Sequence, residues 1–220
     1  IIINNTKGIK QDLATSQSPV MRELMNTLYS NNPRRQITSA AQFEAINIEA
    51  LSAVHSKLFG YADDFRFVIV GNVDLNTLKP LVEKYIGALP TSKKVEYAVV
   101  DDGVRMAQGV VTNDFRTAMQ QPKVSVRLIY SGAMEDNAKN RLIVDLLSRA
   151  LDSRYMISIR EEKGGTYGVS VQGAIEEYPV ENYFMGIVFD TNDALADELI
   201  EICDKEIRKI AEEGPLADDV

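Results

Sequence analysis

Residues 153–171, SRYMISIREEKGGTYGVSV, constrain the fold most, because the apolar periodicity changes within them. A helical pattern runs up to Gly164-Gly165, and beyond the glycines Tyr167, Val169 and Val171 alternate with small or polar residues. Paired glycines stop a helix, and alternation of period two marks a strand. A second strand pattern, ENYFMGIVFD at 181–190, follows a turn at Glu176 to Pro179, so strands 166–172 and 182–190 read as a hairpin. A helix feeding a hairpin rules out a purely parallel sheet. The expected fold class is α+β, with helices packed on one face of a mostly antiparallel sheet.

The rest of the chain fits that class. PVMRELMNTLYS at 19–30 has helical spacing and opens on a proline tolerated in a first turn. Residues 40–59 predict one helix with Phe43, Ile46, Leu51, Val54 and Leu58 on one side and Gly60 as its stop. FRFVIVGNVD at 65–74 predicts a buried strand and a turn. Asp74 or Thr77 then caps a helix that ends before Gly87 and Pro90. The mixed stretch from Thr91 to Gln121 has room for one or two strands and sets the expected boundary near 95: residues 1–95 end one domain and 96–220 begin the next. KVSVRLIYSG at 123–132 alternates like a half-buried strand. A long helix follows, Asp152-Ser153 is a fresh cap for a second helix, and residues 193–213 predict a last, acidic one.

With 45% hydrophobic residues in 220, the chain can build a real core. A net charge of −8 argues against nucleic acid and against anionic membrane surfaces, and no apolar run approaches the ~20 residues of a bilayer span. Cys203 is the single cysteine and lies on a stripe with Leu195, Leu199, Ile202, Ile207 and Ile210, which predicts a buried structural thiol. The opening IIINNTKGIK lacks the form of a signal peptide, and both ends read as cut, so the chain is expected to be a fragment.

Most candidate chemistry has a plainer account. Zinc needs several converging ligands, and the chain has one histidine, His55, without an H-x-x-E-H or H-E-x-x-H pattern. DTNDALADE at 190–198 places Ala194 and Leu195 where a calcium loop needs a ligand and a glycine, so it reads as a capped helix start. Gly164, Gly165 and Gly168 sit between a helix and a strand, the reverse polarity of a phosphate loop. Glu161 and Glu162 are adjacent on a helix and point apart. Arg160 and Tyr167 have two readings. The helix dipole favours a cation at Arg160, and Tyr167 can face the core with its hydroxyl at the edge. Alternatively, the Gly-Gly turn brings a guanidinium and a phenol side by side as donors for a peptide carbonyl or oxyanion.

SRYMISIREEKGGTYGVSV at 153–171, with FVIVGNVDLNTLKPLVEKYIGALP at 67–90, resembles the pitrilysin/insulinase family of zinc peptidases, over essentially the whole chain. The resemblance implies a metallohydrolase-like sandwich and a parent enzyme of two halves closing like a clamshell. Zinc is expected in the parent, held by the other half, and none in this chain. The resemblance is to the half lacking the zinc motif, the C-terminal one, which contributes an arginine and, seven residues later, a tyrosine. Arg160 and Tyr167 stand at that spacing and are the implied substrate-binding pair. The implied partners are a peptide substrate and the zinc-bearing half, in the same chain or as a separate subunit; nucleic acid and membrane insertion are not expected. By itself the chain is expected to be inactive. The alternative is a non-catalytic structural or peptide-binding subunit of the same fold. A bacterial periplasmic or cell-envelope setting is the guess for location.

Overall fold

The structure, a computed structural model, describes residues 17–63, 65–92, 100–118, 121–161 and 163–215. The described residues fall into two units, the first of residues 17–18, 37–63 and 65–92, the second of 19–36, 100–118, 121–161 and 163–215. The expected boundary at 95/96 lies outside the described residues.

In the first unit, two helices stand where one is expected over 40–59. Helix α2 (Ala40–Glu44) stops, and α3 (Ile48–Phe59) starts afresh on Asn47. The Asn47 side chain accepts a hydrogen bond from the Ala50 N–H at 2.7 Å, a capping role that competes with continuing the helix. Asp74 caps α4 (Leu75–Tyr85), accepting from the Asn76 N–H at 2.8 Å. The strand expected at 65–74 does not form. Phe67, Val68 and Val70 are 48%, 75% and 91% exposed, and residues 65–70 carry no ladder. A strand exists only against a partner that takes up its backbone groups, and no described strand lies in this unit. Instead the aromatic rings form a surface row, His55 to Phe59 at 5.2 Å, then Phe59 to Phe65 and Phe65 to Phe67 at 6.1 Å each. Neither α3 nor α4 buries a residue.

The second unit holds α1 (Gln17–Leu28) from Pro19 onward, β1 (Val124–Ala133), α5 (Ala138–Tyr155), β2 (Val169–Glu176), β3 (Asn182–Thr191) and α6 (Ala196–Glu213). The sheet order is β1-β3-β2 and both pairings are antiparallel, with Ile187 opposite Leu128 on one side and Val171 on the other. The expected hairpin is therefore present. Helix α5 lies over β2, and α6 packs against α5 and β1. Between helices and sheet lies a core of Val126, Leu151, Tyr155, Ile187, Phe189 and Leu199, among others. Cys203 is fully buried there, and burial pushes its thiol up to about 12, the behaviour of a structural thiol. The buried Tyr155 hydroxyl donates to the Cys203 carbonyl at 3.0 Å, tying α5 to α6. At the start of α6, Asn192 accepts from the Leu195 N–H at 3.1 Å and Asp197 and Glu198 fill the first turn, as the acidic pattern predicts. Residues 100–118 carry no strand. They run irregularly and are bound to α1 by the Ala107 N–H on the Leu28 carbonyl at 2.7 Å and by the Asn113 amide on Glu23 and Thr27.

Candidate functional site

The candidate site grows from the end of α5. That helix runs through Asp152-Ser153 without the expected break. Asp152 makes no cap; its carboxylate accepts from the Val171 N–H at 2.9 Å, pinning the start of β2 to the helix. Beyond Tyr155 the helix widens into a π-helical turn, Met156–Glu161. The Ser158 hydroxyl donates to the Arg154 carbonyl at 2.9 Å on its way in. Such widened turns are rare and concentrate at functional positions. Ile159 is fully buried and anchors this turn, while Ile157 and Arg160 face outward.

Two different needs account for the two glycines. Gly164 has φ +59°, a left-handed conformation that favours glycine. Its N–H closes the turn on the Arg160 carbonyl at 3.0 Å. Gly165 is needed for space: a Cβ there would sit 2.8 Å from Leu199 Cδ1 of α6. The Gly165 carbonyl accepts from the Thr191 hydroxyl at 2.6 Å, a buried bond to the end of β3. Lys163 pairs with Glu198 of α6 at 2.5 Å. The turn is thus bound to β3 and α6 at three places.

Tyr167 follows on this anchored turn and is fully exposed, at 101% of its reference area. The core-facing reading of this tyrosine is thereby excluded. Burial in β2 begins at Val169, and ahead of it the Thr166 hydroxyl bonds the Gly168 carbonyl at 3.0 Å and its N–H at 3.3 Å. Those local bonds replace the ladder that would have extended the alternation back to Tyr167. Arg160 is exposed as well. The two side chains stand on either side of the Gly164-Gly165 turn, and neither is tied by a hydrogen bond or ion pair among the described residues. Thr191 and Leu199, which shape that connection, escaped the sequence reading because they act from distant elements. Leu199 was visible only as a member of the apolar stripe of α6.

Zinc sites need donors converging at about 2 Å. Among the described residues no group of three or more His, Cys, Asp or Glu side chains is placed to hold a metal ion, and the His55 ring lies tilted against Phe59. The described residues therefore offer no donor set that fits zinc.

The sequence profile of the peptidase M16 inactive domain matches residues 45–220. The chain belongs to the peptidase M16 inactive-domain family. The probable zinc protease PqqL of Escherichia coli is 28% identical over 161 residues, which cover 70% of this chain and 16% of that protein. Among solved structures, the periplasmic protease PqqL from Escherichia coli superposes with a TM-score of 0.79 at 20% identity, over 98% of this chain and 24% of that one. A mutant of the ferredoxin protease FusC in complex with Arabidopsis ferredoxin gives 0.68 at 16% identity, over 99% and 24%. The M16 inactive domain described here therefore has the α+β fold of these proteases and spans about a quarter of their solved chains. No described helix is long and apolar enough to cross a membrane.

Proposed function

We propose that this chain is a part of the zinc-free half of an M16 metalloendopeptidase, in which Arg160 and Tyr167 bind the substrate peptide and stabilise its reacting carbonyl. The observation that carries the reading is Tyr167: fully exposed and without a hydrogen-bond partner among the described residues, just beyond a turn bound through Gly164, Gly165 and Thr191. A tyrosine side chain has only two torsions to fix and so gives a large amphipathic contact at a low entropy cost. A phenol O–H and a guanidinium are both donors, and Arg160 presents its donors as a planar fork. Aimed at a carbonyl oxygen, they stabilise the charge that develops there. Carried on a half separate from the metal, such donors make the reaction conditional on closure of the two halves.

In this reading residues 1–95 complete one peptidase-like domain and 96–220 begin the next. Zinc belongs to the zinc-bearing half, in the same chain or a separate subunit. The chain by itself is inactive, and the periplasmic relative favours a periplasmic setting. A second reading, a structural or peptide-binding piece without a part in the chemistry, is favoured by the family's description as inactive.

The test is Tyr167→Phe in the full-length protein, assayed on unstructured peptides. Loss of one oxyanion donor lowers kcat by about ten- to a thousandfold. An unchanged kcat with a modest rise in KM moves Tyr167 to ground-state binding and overturns the catalytic part of the proposal.

A further inference from the structure

The register of the sheet assigns Tyr167 a place that it does not take. Val169 stands opposite Phe189 and Ser170 opposite Val188, so two further steps of the same ladder would set Tyr167 opposite Thr191. That place faces the core. Val169 and Phe189 are buried on that face, and Thr191, next along it after Phe189, is buried too, because side chains two apart on a strand share a side of the sheet. A tyrosine there, with its ring against Val169 and its hydroxyl at the edge, would be an ordinary strand residue. Tyr167 is instead fully exposed.

Gly165 stands in its stead. The glycine is buried, its carbonyl accepts from the Thr191 hydroxyl at 2.6 Å, and a Cβ on it would lie 2.8 and 3.2 Å from the Leu199 methyls and 3.4 Å from Leu195. Its bare backbone thus fills the space beside Thr191 and α6 that a longer β2 would leave to Tyr167. The other side-chain bond between this turn and the rest of the unit, Lys163 to Glu198, is exposed and therefore weak. The Thr191 bond is buried, where an acceptor deprived of its donor is costly.

We infer that Thr191 is a positioning residue: its hydroxyl holds Gly165 in the core-facing place and thereby keeps Tyr167 in solvent, where a substrate can reach it. The use of that phenol in peptide hydrolysis rests on the function proposed above, whereas its placement rests on sheet register, burial and one hydrogen bond. Without the hydroxyl, the Gly165 carbonyl is a buried acceptor with no donor. The balance then moves toward a longer β2, with Gly165 released and Tyr167 on the face of Val169 and Val171.

The experiment is nitration of the full-length protein by tetranitromethane, with each tyrosine followed by peptide mass spectrometry. In the unaltered protein Tyr167 is expected to react alongside the exposed Tyr178, and the fully buried Tyr155 to stay intact. Tyr167 as protected as Tyr155 overturns the inference before any variant is made. Thr191→Val keeps the side-chain shape and removes the donor, and it is expected to slow nitration of Tyr167 relative to Tyr178 about fivefold or more, the low end for a buried acceptor that loses its donor. Thr191→Ser is expected to restore the rate. An unchanged Tyr167 rate in Thr191→Val overturns the inference, as does a loss that serine does not restore, since the threonine methyl would then be the cause. If Thr191→Val reacts at Tyr155 the fold has opened, and Thr191→Ala takes its place with the same expectation. In turnover of unstructured peptides Thr191→Val is expected to lower kcat with KM little changed, and to lower it no further in a Tyr167→Phe background; a further loss there overturns the link to Tyr167. An unchanged kcat in Tyr167→Phe alone sinks the catalytic reading and leaves the placement to be decided by nitration, which reads no turnover.

Discussion

Helices α3 and α6 carry similar apolar stripes, yet α3 buries nothing while α6 buries Ala196, Leu199 and Cys203. The difference lies in what stands opposite. Helix α6 meets α5 and a sheet whose inner face offers Val126, Ile187 and Phe189. The stripe of α3 leaves Leu51, Val54 and Leu58 about half exposed, and no described strand belongs to its unit. Periodicity states which face of an element favours burial, whereas burial itself is a property of a pair. The same holds for FRFVIVGNVD: its composition is that of a core strand, but without a ladder partner it remains an exposed run.

The strongest way to break this comparison is to truncate the two stripes in parallel. In this 220-residue chain, Leu199→Ala is expected to cost about 2–5 kcal/mol, as for a fully buried leucine. Leu51→Ala is expected to stay within about 0.5 kcal/mol, as for an exposed site. Urea unfolding of both variants decides it, and equal losses would mean that α3 is packed in solution. In the full-length protein a rise in the Leu51→Ala cost toward that of Leu199→Ala would identify the α3 face as covered by the remainder of the protein.

Two glycines sharpen the contrast with a smaller effect. Gly165→Ala forces Leu199 to move and is expected to cost about 1–3 kcal/mol, as for overpacking. At Gly71 in the first unit the nearest atom to an added Cβ is Val73 Cγ2 at 3.8 Å, and alanine there should be close to neutral. Thermal melts of the two variants measure the difference, and an unchanged Tm for Gly165→Ala would remove Leu199 as the reason for that glycine.

The smallest effect is electrostatic. Burial pushes the Asp190 carboxyl up, but hydrogen bonds from Lys123 and Ser125, with the charges of Lys123 and Arg127, outweigh it and hold it below its ordinary value. A depressed carboxyl contributes stability that is present above the unfolded value of about 3.9 and is lost as pH falls through the lower, folded one. The second unit should therefore lose a modest increment of stability below pH about 4, and Ser125→Ala should flatten that acid limb. An identical acid limb in the variant would rule out the Ser125 hydrogen bond as its source.

Much of this protein was legible locally. The Gly164-Gly165 stop, the hairpin after it, the Asp74 cap, the acidic start of α6 and the buried Cys203 each follow from a few neighbouring residues, because propensity, capping and periodicity are short-range properties. Misreadings arose where one side chain had two uses. Asp152 looks like a cap but bonds Val171 across the fold, and Asn47 looks like a helix-interior residue but caps. The spacing of Arg160 and Tyr167 was also readable in sequence. That Tyr167 stands wholly in solvent was not, since alternation alone placed it on the face of Val169. Tertiary structure decided this, by ending the sheet at Val169 and letting Thr166 satisfy the backbone before it. It likewise decided why a Cβ at Gly165 is crowded, through Leu199 on a helix thirty-odd residues away, and it left the Arg127 Nε buried without a hydrogen-bond partner. The sequence by itself determined the order and type of most elements, and long-range packing determined which faces found partners and which polar groups were left over.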